Sequence, residues 1–236
     1  MLNDKRKRKL GRPPGQTAQG LAARQRLYET AIRLIGERGF EKTTLRDVAE
    51  SADVSVGLLY RYFPSKHAVL LALYDELSAD QETRAAAMPR GKWRQRFVFA
   101  LESSLEILQP HRKTLSALIP VLVSNASDGL FSPTSAFSRE RVQRIFQAAV
   151  VGASDAPREE IAAALGRLLY LVHLATILWW LLDKSPQQRA TRSLIRLLMQ
   201  TLPPAALALR LKKVGAFILA GDRLFQEALI GEQTKA

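Results

Sequence analysis

The sequence predicts an all-α protein in two parts, a small three-helix head behind a basic arm and then a larger helical bundle. Three observations carry this reading. Apolar residues recur at three- and four-residue spacing along most of the chain, and strand-like alternation is nowhere convincing. Ser, Thr, Gly and Pro fall where helices would start and stop. With 236 residues, 47% apolar and 24% charged, the chain is long enough to bury a real core and has an ordinary globular composition.

Residues 1–20 read as a mobile arm. Lys5, Arg6, Lys7, Arg8 and Lys9 form an unbroken basic block, and residues 10–20 hold two prolines and three glycines with no apolar periodicity. The head, residues 21–66, opens with a helix whose inward face is Leu27, Ala31, Leu34 and Ile35, followed by Gly39 at a left-handed C-terminal cap and Phe40 as a core anchor. Thr44, with Asp47 three residues on, forms a capping-box pattern for a short second helix with Leu45, Val48 and Ala49 inward. The pattern breaks at Asp53, a residue type that tolerates a left-handed turn. Ser55 then caps a third helix, which Pro64 ends. Ser65 caps a fourth, bearing Val69, Leu70, Leu73, Tyr74 and Leu77. In the second part, residues 67–236, further helices are expected over 93–108, 113–123, 138–150, 158–182 and 187–202. An additional amphipathic pattern follows Pro203 and Pro204: Leu207, Leu211, Val214 and Ile218, then Leu224, Phe225 and Leu229.

Lys and Arg number 35 against 22 Asp and Glu, a net charge of +13, which favours a polyanionic partner. Residues 1–66 hold 14 basic and 7 acidic groups, so the excess is concentrated at the front. Cysteine is absent and histidine is limited to His67, His111 and His173, which removes disulfides, thiolate metal sites and histidine-rich metal centres. No cofactor and no metal is expected. The carboxylates at Glu102 and Glu106 and at Glu159 and Glu160 fit helix-surface ion pairs, and Ser103 and Ser104 lack a nucleophile elbow, so an enzyme is not expected either. No apolar run follows the basic block as in a secretory signal, and the longest nearly apolar run, 168–182, has 15 residues against the roughly 20 that span a bilayer. A cytoplasmic protein that does not enter membranes is the expectation.

Two short capped helices joined by a tight turn, the second with polar and aromatic residues outward, form the helix-turn-helix arrangement that places a helix in the major groove of double-stranded DNA. Here it spans residues 44–63. Gly57 on the first turn of the third helix weakens that helix, by on the order of 1 kcal/mol relative to alanine, and so suggests a close backbone approach to DNA. Tyr60 and Tyr62 can donate hydroxyls to phosphates, and Arg61 can pair with a phosphate or a guanine edge. Lys66 opposes the dipole of the fourth helix, which an approaching phosphate would explain. A Tyr-x-Tyr pair beside an apolar stripe also fits plain core packing. The arm either neutralises phosphates, with Arg12 between Gly11 and Pro13 suited to a narrow minor groove, or is a solvated tail.

The run TTLRDVAESADVSVGLLYRYFPSKHAVL, residues 43–70, resembles the DNA-binding signature of the TetR/AcrR family of bacterial transcriptional regulators. The resemblance covers about 21–77. It implies a homodimer, a three-helix DNA-binding head and a larger helical domain that binds a small inducer and closes the dimer. Carried over by position, Thr44 and Arg46 touch the DNA backbone or groove, Ser55, Val56, Gly57 and Leu58 face the bases, and Tyr60, Arg61, Tyr62 and Lys66 contact phosphates. Val56 stands where lysine or glutamine is frequent and Leu58 where threonine is frequent, which points to thymine-methyl contacts.

In the second part, residues 161–182 are apolar nearly all round and must pack on two sides. The resemblance places the dimer interface on 158–182 and 187–202. Trp93, Phe97, Phe99, Tyr170, His173, Trp179 and Trp180 are candidates for the lining of a cavity for a small apolar or amphipathic inducer, and core or interface packing would use the same residues. The function expected is a ligand-responsive regulator, a repressor that binds a near-palindromic operator as a dimer. The alternative is a ligand-independent architectural protein that relies on phosphate contacts.

Overall fold

The computed structural model describes residues 18–124, 129–209 and 211–231, without the side chains of 203–207. The basic block and Arg12 lie outside these residues. The described residues contain no strand. The head comprises α1 (Ala18–Arg38), α2 (Leu45–Ser51) and α3 (Val56–Tyr62); α4 (Lys66–Ala85) leads into α5 (Trp93–Leu108), α6 (Arg112–Leu122), α7 (Ala136–Val151), α8 (Glu159–Leu182), α9 (Arg189–Ala208) and α10 (Lys212–Phe225).

The punctuation of the head is as the sequence dictates. Gly39 takes φ 87°, which a residue with a Cβ resists, and its N–H returns to the Ile35 carbonyl at 2.9 Å. Thr44 Oγ1 accepts from the Asp47 N–H at 3.1 Å while the Asp47 carboxylate accepts from the Thr44 N–H at 3.0 Å. Those hydrogen bonds hold the Asp47 carboxyl below its ordinary value. Asp53 adopts φ 51° between α2 and α3. Ser55 and Ser65 accept from the N–H groups of Leu58 and Ala68, capping α3 and α4.

Two buried clusters organise the molecule. The first joins Leu27, Leu34 and Ile35 of α1, Val48 of α2, Leu59 of α3 and Val69, Leu70 and Leu73 of α4, and continues into Leu115 and Leu118 of α6 and Trp180 and Leu181 of α8. The second gathers Phe97 and Leu101 of α5, Ile145 and Phe146 of α7, Tyr170 of α8, Ile195 of α9 and Phe225 of α10. Residue 66 marks the start of a helix and not an edge of packing, because the first half of α4 completes the head's core and its second half enters the bundle. Polar ties reinforce the join: Thr114 Oγ1 on α6 donates to the Ile32 carbonyl of α1 at 3.0 Å, and the Arg112 guanidinium donates to the carbonyls of Trp180, Leu181 and Asp183 at the end of α8.

Three expectations for the bundle are corrected. The last long helix starts at Arg189, after Gln187 and Gln188 at φ 52° and 53°, and it runs through Pro203 and Pro204 to Ala208 instead of ending at 202. Proline's fixed φ is helical, and the carbonyls that lose their donors belong to Met199 and Gln200, both on the exposed face where water can bond them. The apolar helix has 24 residues, so by length and composition it could cross a membrane. It is packed instead against α7 on one side and α10 on the other, its Gly166 letting the α7 backbone come within 2.5 Å of where a Cβ would stand. The stripe of α10 that faces α8 is Gly215, Ile218, Asp222 and Phe225, while Leu211 and Leu224 are exposed. Asp222 forms a two-bond ion pair with Arg167 of α8, at 2.7 and 2.5 Å, which fixes the register of the two helices.

Candidate nucleic-acid interface and ligand cavity

The outward face of the head carries most of the residues singled out above. Thr44 and Arg46 at the start of α2, and Ser55, Val56, Gly57, Tyr60 and Arg61 on α3, are all exposed, Tyr60 to 52%. Nothing lies within 4 Å of where a Gly57 Cβ would be, so the first turn of α3 is open to an approaching surface. Leu59 points the opposite way and is fully buried, which orients the helix. Leu58 is half-buried and Tyr62 is partly packed against the head's core, so these two are shared between surface and interior.

Lys66 differs from expectation. Its Nζ donates to the Phe40 carbonyl at 2.8 Å and to the Glu41 carbonyl at 3.4 Å, and lies 4.6 Å from the centre of the Phe40 ring. Two carbonyls of the turn after α1 supply the negative partner that the dipole argument had sought in a phosphate. Lys66 therefore ties that turn to the start of α4.

Below the head lies a cavity of about 700 Å³, within the roughly 300–1,000 Å³ usual for small-molecule sites. Its walls come from α4 (Tyr74, Leu77, Ser78, Gln81), α6 (Leu115, Ile119, Leu122), the 130–135 segment with Arg139 at the start of α7, and α8 (Tyr170, His173, Leu174, Ile177). Of the aromatic candidates from sequence, Tyr170 and His173 line it. The others do not. Trp93 and Phe97 fill the second core cluster, Phe99 is half-buried away from the cavity, Trp180 is buried in the head's cluster beneath Arg112, and Trp179 is 50% exposed on the outside of α8. On α8, position 179 faces away from 170 and 173, whereas 180, seven residues after 173, keeps nearly their face but lies two turns further along, in the head's cluster, so apolar composition alone could not separate them.

His173 is neutral. Burial pushes its pKa down to about 3, its Nε2 lies 2.8 Å from the Ser104 hydroxyl, and the Phe146 ring centre is 4.5 Å away. Tyr170 is raised by the same desolvation, with Arg139 acting in the opposite sense. Sequence reasoning missed Gln81 and Arg139, both buried in the cavity wall. For Gln81 a signal existed: it continues the apolar stripe of Tyr74 and Leu77 at i+7 and i+4, where a core helix would place another apolar residue.

Residues 27–73 match the family model "Bacterial regulatory proteins, tetR family". The KstR transcriptional repressor of Mycolicibacterium smegmatis is 30% identical over 185 residues, which cover 75% of this chain and 87% of the relative. The chain belongs to the TetR family. Among solved structures, a TetR-family regulator from Streptomyces coelicolor superposes with a TM-score of 0.60 at 20% identity over 86% of this chain and 90% of its own, and one from Nitrosomonas europaea with 0.57 at 22% over 76% and 97%. These neighbours share the fold. Within this TetR-family protein the matched segment begins inside α1 and ends inside α4, so it includes the part of α4 that completes the head's core. The protein is a DNA-binding transcriptional regulator.

Proposed function

We propose that this regulator is a ligand-responsive repressor, without enzymatic activity, that binds a near-palindromic operator as a homodimer. The observation that carries the reading is the continuity between the exposed face of α3 and the cavity: α4 and α6 each contribute to both the head's core and the cavity wall. A molecule that fills the cavity acts on Leu77 and Gln81 of α4 and on Leu115 and Ile119 of α6. Any shift of these helices moves the head with them, because Leu70, Leu73 and Leu118 are fully buried in its core. In a dimer the two α3 helices must meet successive major grooves about 34 Å apart, and a ligand that prefers another head spacing releases DNA. The full-length relative is a repressor, which supports that direction of regulation. Exposed Leu197 and Met199 on α9, with Leu178 and Leu182 on α8, supply apolar surface for a partner copy.

On DNA, Thr44, Arg46, Tyr60 and Arg61 contact the backbone, Val56, Gly57 and Leu58 face the bases, and Lys66 supports the head from within. The chain works in the cytoplasm, with α8 a core helix and not a span. The test is footprinting of the full chain on genomic fragments. One or a few protected near-palindromic sites are expected, and Tyr60→Phe weakens binding to all of them alike. Diffuse protection without preferred sites overturns the operator reading in favour of an architectural role.

A further inference from the structure

We propose that the ligand of the cavity is an organic anion, an apolar body bearing one acidic head group that is held against Arg139. The proposal rests on reading the cavity as a ligand site. Arg139 is only 6% exposed and borders both the cavity and a smaller polar cleft beside it. Its Nη1 donates to the carbonyls of Leu130, at 3.3 Å, and Ser132, at 3.1 Å, while its Nε is buried without an acceptor. Among the described residues no carboxylate lies within ion-pair reach of it, although Glu140 is its neighbour in sequence and lines the cleft.

Two other sheltered arginines meet carboxylates, whereas the half-buried Arg96 and Arg112 donate to backbone carbonyls. Arg141, two residues on, meets Asp75 at 2.8 Å and Glu82 at 3.4 Å, and Arg167 meets Asp222. A guanidinium cannot shed its proton, so the positive charge of Arg139 persists in an apolar wall, and such a charge is tolerated where an anion compensates it. A second donor in the same wall, Gln81 Nε2, is also buried without an acceptor, at 5% residue exposure. His173, held neutral, adds no second cation. Two side-chain donors without acceptors, and a guanidinium that meets carbonyls and the Phe131 ring but no carboxylate, in a mostly apolar cavity that serines and His173 also line, describe a receptor for a single anionic group with several lone pairs: a carboxylate, sulfonate or phosphate ester on a hydrophobic body.

The test compares two fluorescent probes that differ by one sulfonate, 8-anilinonaphthalene-1-sulfonate and neutral N-phenyl-1-naphthylamine, titrated into the full chain. Both are expected to bind, and Leu174→Trp, which fills the cavity, is expected to remove both. Arg139→Met should weaken the sulfonate probe by about tenfold, the worth of a charge-assisted hydrogen bond, and leave the neutral probe within about twofold. Arg139→Lys should retain part of the sulfonate affinity. If Arg139→Met affects both probes alike or neither, the anion proposal is overturned while the ligand site stands. If neither probe binds the wild type, or Leu174→Trp leaves both unaffected, the ligand-site reading fails and the proposal goes with it. Should Arg139→Met not fold, displacement of the neutral probe from wild type decides: hexadecanoate must act at about tenfold lower concentration than its methyl ester, and equal displacement overturns the proposal.

Discussion

In the head, Gly57 sits on the first turn of α3 with open space where a Cβ would be, whereas in the bundle Gly166 of α8 lies where a Cβ would meet Gln147 Cα of α7 at 2.5 Å. One glycine keeps a surface clear, and the other lets two helix backbones touch. The contrast extends to how each region is specified. The helices of the head are bounded by caps that act within a few residues, Thr44 with Asp47, Ser55 with Leu58 and Ser65 with Ala68, so their ends follow from local chemistry. The bundle depends on contacts remote in sequence, such as Arg112 on the end of α8 and Arg167 on Asp222.

The sharpest way to break this contrast is Gly166→Ala. Its Cβ would stand 2.5 Å and 3.0 Å from Gln147 backbone atoms, which cannot rotate aside as a side chain can, so α7 and α8 must separate. A loss of about 3 kcal/mol in unfolding free energy is expected from overpacking of this kind. Urea unfolding followed by circular dichroism measures it. A variant as stable as the wild type would mean that the two helices are not packed this closely.

The same contrast explains what could be read from sequence. In the head, the inward faces of α1 and α2, the left-handed turns at Gly39 and Asp53 and all three caps were legible, because each is written in residues next to one another. The tie that Lys66 makes was not legible, because its partners, the Phe40 and Glu41 carbonyls, lie 26 and 25 positions away in the chain and only folding brings them there. In the bundle, helix existence was legible and the cavity was not. Tyr170, Trp179 and Trp180 look equivalent as apolar residues on one helix, and the partners α6, α7 and α10 decide which of them meets empty space. Pro203 and Pro204 read as a stop, yet α9 runs on to Ala208, and the carbonyls left without donors are those of exposed Met199 and Gln200.

A second test addresses the buried interior of the bundle through pH. His173 titrates near 6.5 when unfolded and at about 3 when folded. Between those values the unfolded chain carries a proton that the folded chain does not, so stability is complete above pH 6.5 and falls as pH drops. The slope from this one group approaches about 1.4 kcal/mol per pH unit. Other carboxylates also titrate in acid, so the informative quantity is the difference between wild type and His173→Gln, which keeps a neutral polar group facing Ser104. The variant should show the shallower decline between pH 6 and 4, by roughly that slope. Parallel curves would show that His173 is protonated in the fold.

Gly57→Ala carries the smallest effect on stability and the most direct reading of the head. Since nothing surrounds the site, the added methyl meets no neighbour in the free protein, and alanine is the better helix former. Stability should therefore rise, by about 0.5 kcal/mol at the first turn of so short a helix, less than the roughly 1 kcal/mol of a helix interior. DNA affinity should move the other way, because the methyl occupies the space through which the backbone of α3 would approach the groove. Fluorescence anisotropy on a footprinted operator reads this as a several-fold weaker complex, about 1 kcal/mol. Gly166→Ala, by contrast, should lower stability and operator binding together, since it disturbs the bundle that holds the head. A Gly57→Ala protein that is more stable and binds operator as tightly as wild type would place the DNA elsewhere on α3, toward exposed Tyr60 and Arg61 and away from the first turn.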